Sequence, residues 1–207
     1  VAFRAPDENE IERINRLQRE LFDDIVDLFE PPLPEGVPRR LERIVAAAAI
    51  TAGDVVLDVG SGTGILVPLI QNYRPDRIYA CDLSRKMLEK LRSNYPGVKT
   101  VLSDVRDVAL PEASVDAVFI NACYPNIADK NGAFANLARL MKPGGRLVIS
   151  HPLGKSFVDT LRKSARYPLD DFPAKTEAER LFTPYGFEIK SFVDEAQLYI
   201  LVVLRQS

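Results

Sequence analysis

The run Val55-Val56-Leu57-Asp58-Val59-Gly60-Ser61-Gly62-Thr63-Gly64 decides how the rest of this chain is read. Its first five residues are apolar apart from one acid, the pattern of a strand buried on both faces of a parallel sheet. Three alternating glycines follow at once. Glycine turns where a side chain would forbid it, and lets backbone N–H groups approach a ligand that a Cβ would block. A plain strand-to-helix turn needs fewer than three. A helix opening near Ile65 adds a partly positive N-terminus, suited to an anionic group such as a carboxylate. A dinucleotide fingerprint is spaced G-x-G-x-x-G. Here the third glycine comes one residue early, as G-x-G-x-G. The spacing weighs against a nicotinamide oxidoreductase, yet the loop alone fits more than one cofactor.

Working outward from this run, the flanking sequence alternates between two periods. On the N-terminal side, Ile11, Ile14, Leu17, Leu21, Ile25, Leu28 and Phe29 recur at helical steps over Glu8 to Glu30, which predicts an amphipathic helix. Pro31-Pro32 should stop it, with an extended linker to Pro38 and a second helix over Arg39 to Ile50. On the C-terminal side, helices are expected at Ile65 to Tyr73, Ser84 to Asn94 and Lys130 to Met141. Strands are expected at Arg77 to Cys81, Val98 to Leu102, Val115 to Ile120 and Arg146 to Ser150. Such alternation builds parallel βαβ units. The tail differs: Phe187 to Val193 and Gln197 to Leu204, joined through Asp194-Glu195-Ala196, read as an antiparallel hairpin. Between them and the last parallel strand, residues 152–186 read as an irregular loop-helix insertion.

The bulk properties narrow the class. A length of 207 residues suits one α/β domain, with residues 1–50 as a helical cover. A net charge of -2 gives no electrostatic case for nucleic acid, and no apolar run reaches the roughly 20 residues of a membrane span. Residues Val1 to Glu8 have no basic flank and apolar core, so no secretory signal is expected there, and the absent initiator Met fits a processed chain. Cys81 and Cys123 lack metal-ligand spacing and are expected as buried free thiols, which agrees with a cytoplasmic setting.

In an open α/β sheet, ligands bind beyond the carboxyl ends of the strands. Asp82 falls there, about 20 residues past the glycine loop, where an acid can accept both hydroxyls of a ribose or else cap the next helix, a role open to Ser84 as well. Asp104, in Ser103-Asp104-Val105-Arg106, can accept from an exocyclic amino group or cap a short turn. Asn121 and His151 follow the fourth and fifth parallel strands.

The segments Val56 to Gly64, Cys81-Asp82-Leu83-Ser84, Ser103-Asp104-Val105 and Leu140 to Leu147 together resemble the class I S-adenosylmethionine-dependent methyltransferases. The similarity is greatest to the type 11 group that includes quinone-biosynthesis methyltransferases, and covers roughly Leu41 to His151. It implies a Rossmann-like, doubly wound sheet of seven strands in the order 3-2-1-4-5-7-6, with strand 7 antiparallel and helices added at the N-terminus. It implies S-adenosylmethionine as cofactor, with S-adenosylhomocysteine as product. Asp58 and the loop Gly60, Ser61, Gly62, Thr63 and Gly64 would hold the methionine portion. Asp82 would take the ribose, Leu83 and Met87 the adenine face, and Asp104 the adenine amino group with Val105 beside it. Asn121 would line the cofactor near the sulfonium, and Pro143-Gly144-Gly145 would be a structural turn.

The acceptor is then expected to be a small molecule. Asn121-Ala122-Cys123-Tyr124-Pro125-Asn126 lacks the Asn/Asp-Pro-Pro-aromatic signature of many DNA and protein amino-methyltransferases. His151, the one histidine, sits where the acceptor pocket belongs and would serve as general base or as an orienting group, against a purely structural role. Phe22 and Phe29 suit either a lid or a buried helix stripe. Lys155, Arg162, Lys163 and Arg166 suit either steering of an acidic acceptor or a solvated face. No metal site is expected. A non-catalytic cofactor-binding sensor or assembly protein is the alternative to an enzyme.

Overall fold

The computed structural model describes residues 7–29 and 32–207. The expectations at Val1 to Pro6, and the end of the first helix at Glu30-Pro31, lie outside these. Seven strands form one sheet: β1 Val55–Val59, β2 Arg77–Asp82, β3 Lys99–Leu102, β4 Val115–Asn121, β5 Met141–His151, β6 Phe187–Glu195 and β7 Leu198–Arg205. Their order is β3-β2-β1-β4-β5-β7-β6. The first five are parallel, and β7 runs antiparallel to both β5 and β6. The expected architecture and the reversed last strand are therefore present.

Alternation along each central strand feeds two cores. One face of the sheet buries Leu57, Val118, Ile120, Leu147, Ile149 and Leu201 beneath Phe134, Leu137 and Phe182. The other buries Val56, Phe119, Val148 and Val202 beneath Leu41, Ile44, Leu66 and Ile70. The covering helices are α1 Glu8–Asp24, α2 Val37–Ala47, α3 Val67–Gln71, α4 Arg85–Asn94, α5 Lys130–Leu140, α6 Phe157–Arg162 and α7 Lys175–Phe182. The last two occupy the insertion. Ser84 caps α4, accepting from the Met87 N–H at 3.1 Å, a contact worth about 1 kcal/mol.

Several boundaries depart from the sequence reading. The second helix runs Val37–Ala47, with Pro38 in its first turn where an extended linker was expected. The first helix ends at Asp24 and tightens into a 3-10 turn at Val26–Phe29. Asp23, Asp24 and Asp27 crowd its negative end, with no base in the last turn of α1 to offset them. The third helix is reduced to Val67–Gln71, since Ser61 to Leu66 are spent on the turn itself. β5 begins at Met141: its register jumps from Val115↔Met141 to Ala117↔Arg146, so Pro143-Gly144-Gly145 is an excursion inside the strand, not a turn before it. The hairpin closes more tightly than expected, through Ala196 and Gln197 alone.

The face that α1 buries also differs. Ile11, Ile14, Asn15 and Gln18 point inward, whereas Leu21 and Leu28 are 37% and 78% exposed. This helix lies against α4 and across the carboxyl ends of the strands. There its partners are polar, so amides take the place of leucines.

Candidate active site

The order β2-β1-β4 places a topological switch between β1 and β4, and a cavity of about 290 Å³ opens at the strand ends there. Gly60 to Thr63 line it from β1, Asp82 and Leu83 from β2, and Ser103 to Val105 from β3. Asn121 lines it from the end of β4 and His151 from the end of β5. Met87, Phe22, Phe29 and Phe157 complete the wall. The sequence-based candidates thus converge on one space, with two exceptions. Asp58 and Gly64 do not line it: Asp58 is buried within β1, and Gly64 is at the far end of the loop, packed against Tyr95 and Leu91.

The loop is held by contacts only glycine permits. Gly60, Gly62 and Gly64 all have positive φ, at 65°, 54° and 93°. A Cβ on Gly60 would sit 2.3 Å from the Cys123 sulfur, and one on Gly64 would meet the Tyr95 ring at 3.0 Å. On Gly62 it would meet nothing nearer than the Met87 sulfur at 4.0 Å. Gly62 is therefore where the backbone can come close to a ligand. Asp82 fixes this edge: one carboxylate oxygen accepts the Gly62 N–H at 2.9 Å, the other the Ser84 N–H at 2.8 Å. Burial pushes the Asp82 carboxyl above its ordinary range, opposed by the N–H groups of Ser84, Gly62 and Leu83. Ser84, not Asp82, caps α4, which frees the acid for the site.

Asp58 is 2% exposed and, among the described residues, its Oδ2 has no hydrogen-bond partner; neither has the buried Ser61 hydroxyl. Desolvation, with the nearby Asp82 charge, raises the Asp58 pKa to about 8. A buried carboxyl and hydroxyl left unpartnered under a glycine loop are polar groups awaiting a ligand.

Asp104 caps the 3-10 turn Val105–Asp107 through the Arg106 N–H at 3.1 Å, one of the two roles expected of it, and also lines the cavity. Its other oxygen accepts from the Asn15 side chain at 2.6 Å. Asn15 and Gln18 line the cavity and were missed by sequence reasoning, as was Asp23, which ties α1 to Ser84 outside the lining. Gln18 donates to the Asn126 carbonyl at 2.6 Å, and Asp23 accepts from the Ser84 hydroxyl. The signal was present: Ile11, Ile14, Asn15, Gln18 and Phe22 follow the helical step, with amides where an apolar stripe should continue. Phe22 and Phe29 lie against each other at 6.1 Å between ring centroids and roof the cavity beside α1.

Of the insertion's aromatic residues, Phe157 lines the cavity while Phe172 and Tyr167 are buried behind it. The basic residues of the insertion divide: Lys155 pairs with Asp194, and Arg162 with Asp159 and Asp171, outside the cavity lining. Cys81 is buried and Cys123 half-buried, both as free thiols. Burial pushes the Cys123 thiol up to about 12. Among the described residues, no group of acids, histidine and cysteines could hold a metal, and no helix is long and apolar enough to cross a membrane.

Residues 57–149 match the family described as a methyltransferase domain, of the type 11 group. An uncharacterised methyltransferase of Schizosaccharomyces pombe is 29% identical over 79% of this chain and 66% of its own length. A demethylmenaquinone methyltransferase of Paenarthrobacter aurescens is 33% identical over 64% of this chain and 55% of its own. This chain thus spans roughly half to two thirds of these relatives. Among solved structures, the magnesium protoporphyrin IX methyltransferase of Synechocystis with bound SAH aligns with a TM-score of 0.69 at 17% identity, over 93% of this chain and 100% of the other.

Proposed function

Because this chain is a class I methyltransferase of the type 11 group, we propose that it moves the methyl group of S-adenosylmethionine to a small, largely apolar acceptor. The observation that carries this reading is one strand-end cavity lined by the glycine loop, Asp82 and Asp104 together with Asn121, His151, Phe157 and further apolar side chains.

The residues present fit the cofactor. Asp58 and the glycine loop would hold the methionine portion, where the Ser61 hydroxyl and one Asp58 oxygen have no partner among the described residues. Asp82 would take the ribose hydroxyls, Leu83 and Met87 would flank the adenine, and Asp104 with Val105 would meet its edge. Asn121 would line the cofactor near the sulfonium. When bound, the cofactor supplies an electrophilic methyl carbon on a leaving group that is already good. What remains for the chain is alignment of the acceptor and exclusion of water. The helix α1, tied down through Asn15, Gln18 and Asp23, serves the second task. The apolar wall of Phe22, Phe29, Ile127, Leu153 and Phe157 suits a flat, uncharged molecule. Similarity to a demethylmenaquinone methyltransferase agrees with that class.

The test is transfer from deuteromethyl-labelled S-adenosylmethionine in a small-molecule extract, read by mass spectrometry. The expected outcome is a low-molecular-weight product carrying the labelled methyl. Tight cofactor binding with no labelled product from any extract would instead mark a non-catalytic binder and defeat the proposal.

A further inference from the structure

His151 is fixed at two points that together settle what its ring can do. It lies at the end of β5, 3% exposed, with its ring against Phe157 at 5.2 Å and Phe172 at 5.8 Å between centroids. Its Nδ1 accepts the backbone N–H of Leu153 at 3.1 Å. An imidazole nitrogen that accepts a hydrogen bond carries a lone pair and no proton. The proton of the neutral ring therefore resides on Nε2. No described residue bonds to Nε2, and that nitrogen is not among the buried atoms sealed away without a partner. It is the ring's free donor, on a residue that lines the cavity.

A general-base histidine needs the opposite arrangement. Its outer nitrogen must be bare, and its inner N–H must face an acceptor that stabilises the imidazolium once formed. At His151 the inner partner is a donor, so a second proton would set two N–H groups against each other. Burial alone lowers the ring's pKa to about 4, with no charged group offsetting it. Among the described residues, the rest of this end of the cavity supplies no base either. The Asn121 side-chain oxygen already accepts from the Ser150 hydroxyl at 3.0 Å, which leaves its amide N–H₂ to the cavity. The Asn126 side-chain oxygen already takes the Tyr167 hydroxyl, and the Cys123 thiol is held protonated. The carboxylates of the lining, Asp82 and Asp104, are the ones assigned to ribose and adenine.

We propose that His151 is not the base of this site but a neutral Nε2–H donor that positions an oxygen of the acceptor, and that the acceptor brings its own nucleophile. This rests on the methyl-transfer reading above and names its substrate class: a phenol or enol acidic enough to arrive as the oxyanion. The electron pair of that anion forms the new bond to the methyl carbon as the carbon–sulfur bond breaks toward sulfur. The anion ends neutral and the sulfonium ends as a thioether, so His151 gains no proton. Where a ring carbon is the nucleophile, the oxyanion's charge is used in the new carbon–carbon bond and the oxygen held by His151 becomes a neutral carbonyl; loss of the surplus ring proton to solvent then restores the oxyanion.

Because the chain has a single histidine, imidazole-¹⁵N labelling gives one ring whose resonances need no assignment. The proposal expects the Nε2–H tautomer, unprotonated down to about pH 5. An Nδ1–H tautomer, or titration at the ordinary histidine value, overturns it. This spectrum needs no acceptor, so it judges His151 whether or not methyl transfer is found. With 1,4-naphthohydroquinone as probe acceptor, His151→Gln keeps an N–H near the Nε2 position and should stay within about tenfold of wild type in kcat/KM, whereas His151→Phe should lose more, chiefly through KM. Equal losses in Gln and Phe, appearing in kcat, would identify a base and refute the donor role.

Discussion

Gly60→Ala is expected to destabilise the protein by about 2–5 kcal/mol and to remove measurable cofactor binding. Two costs add at this one position. A side chain at φ 65° is strained by roughly 1–2 kcal/mol. The new Cβ would also stand 2.3 Å from the Cys123 sulfur and 2.6 Å from its Cβ, where overpacking costs about 1–3 kcal/mol. The two are separable, because Gly60→Ala in a Cys123→Gly background relieves the collision and leaves the backbone strain. Urea denaturation of the three proteins should therefore place the double variant between wild type and Gly60→Ala. An unchanged urea midpoint and unchanged S-adenosylhomocysteine affinity in Gly60→Ala would show that the loop does not need its glycine there.

Asp58→Asn is expected to change the pH dependence of stability more than any other single substitution at the site. The folded pKa is raised to about 8 from an ordinary carboxylate value of 3.8, so between those limits the native state holds a proton that the unfolded chain releases. Stability contributed at Asp58 is thus greatest in acid and is lost as pH rises from about 4 to 8. At about 1.4 kcal/mol per unit, up to ~4 kcal/mol disappears between pH 5 and pH 8. Asparagine cannot ionise, so the variant's advantage over wild type should widen by that order across the interval. Denaturant melts of both proteins at several pH values read this directly, and parallel slopes would mean that Asp58 is ionised at neutral pH. The same substitution should weaken the cofactor, since an acid kept at such cost in a site is retained for its ligand.

The parts of this account that sequence could supply share a physical origin. Strands buried on both faces are continuous apolar runs, so β1, β2 and β4 stand out from their neighbours, and the strand-end rule then locates Asp82, Asp104, Asn121 and His151. The tail hairpin is legible because β7 is such a run, while the edge strand β6 shows itself by alternation of apolar and polar residues. The early start of β5 is not: Lys142 to Gly145 read as a turn, and only pairing with Val115 and Ala117 brings them into the strand. The inner face of α1 escaped because apolar periodicity rewards Leu21 and Leu28, which are exposed, and passes over Asn15 and Gln18, which are buried. The resemblance made Asp58 a ligand residue, and only the fold shows it buried with an oxygen that no described residue bonds. His151 likewise looked equally suited to two roles. What divides them is one backbone N–H two residues on, a contact that no pattern of residue types encodes.

The central claim is that the loop and the acids at the next two strand ends select S-adenosylmethionine over a dinucleotide. Calorimetric titration of the unliganded protein with S-adenosylhomocysteine and, separately, with NAD tests it most directly. One S-adenosylhomocysteine per chain, with no heat from NAD at the same concentrations, is the predicted result. Preferential binding of NAD would contradict it.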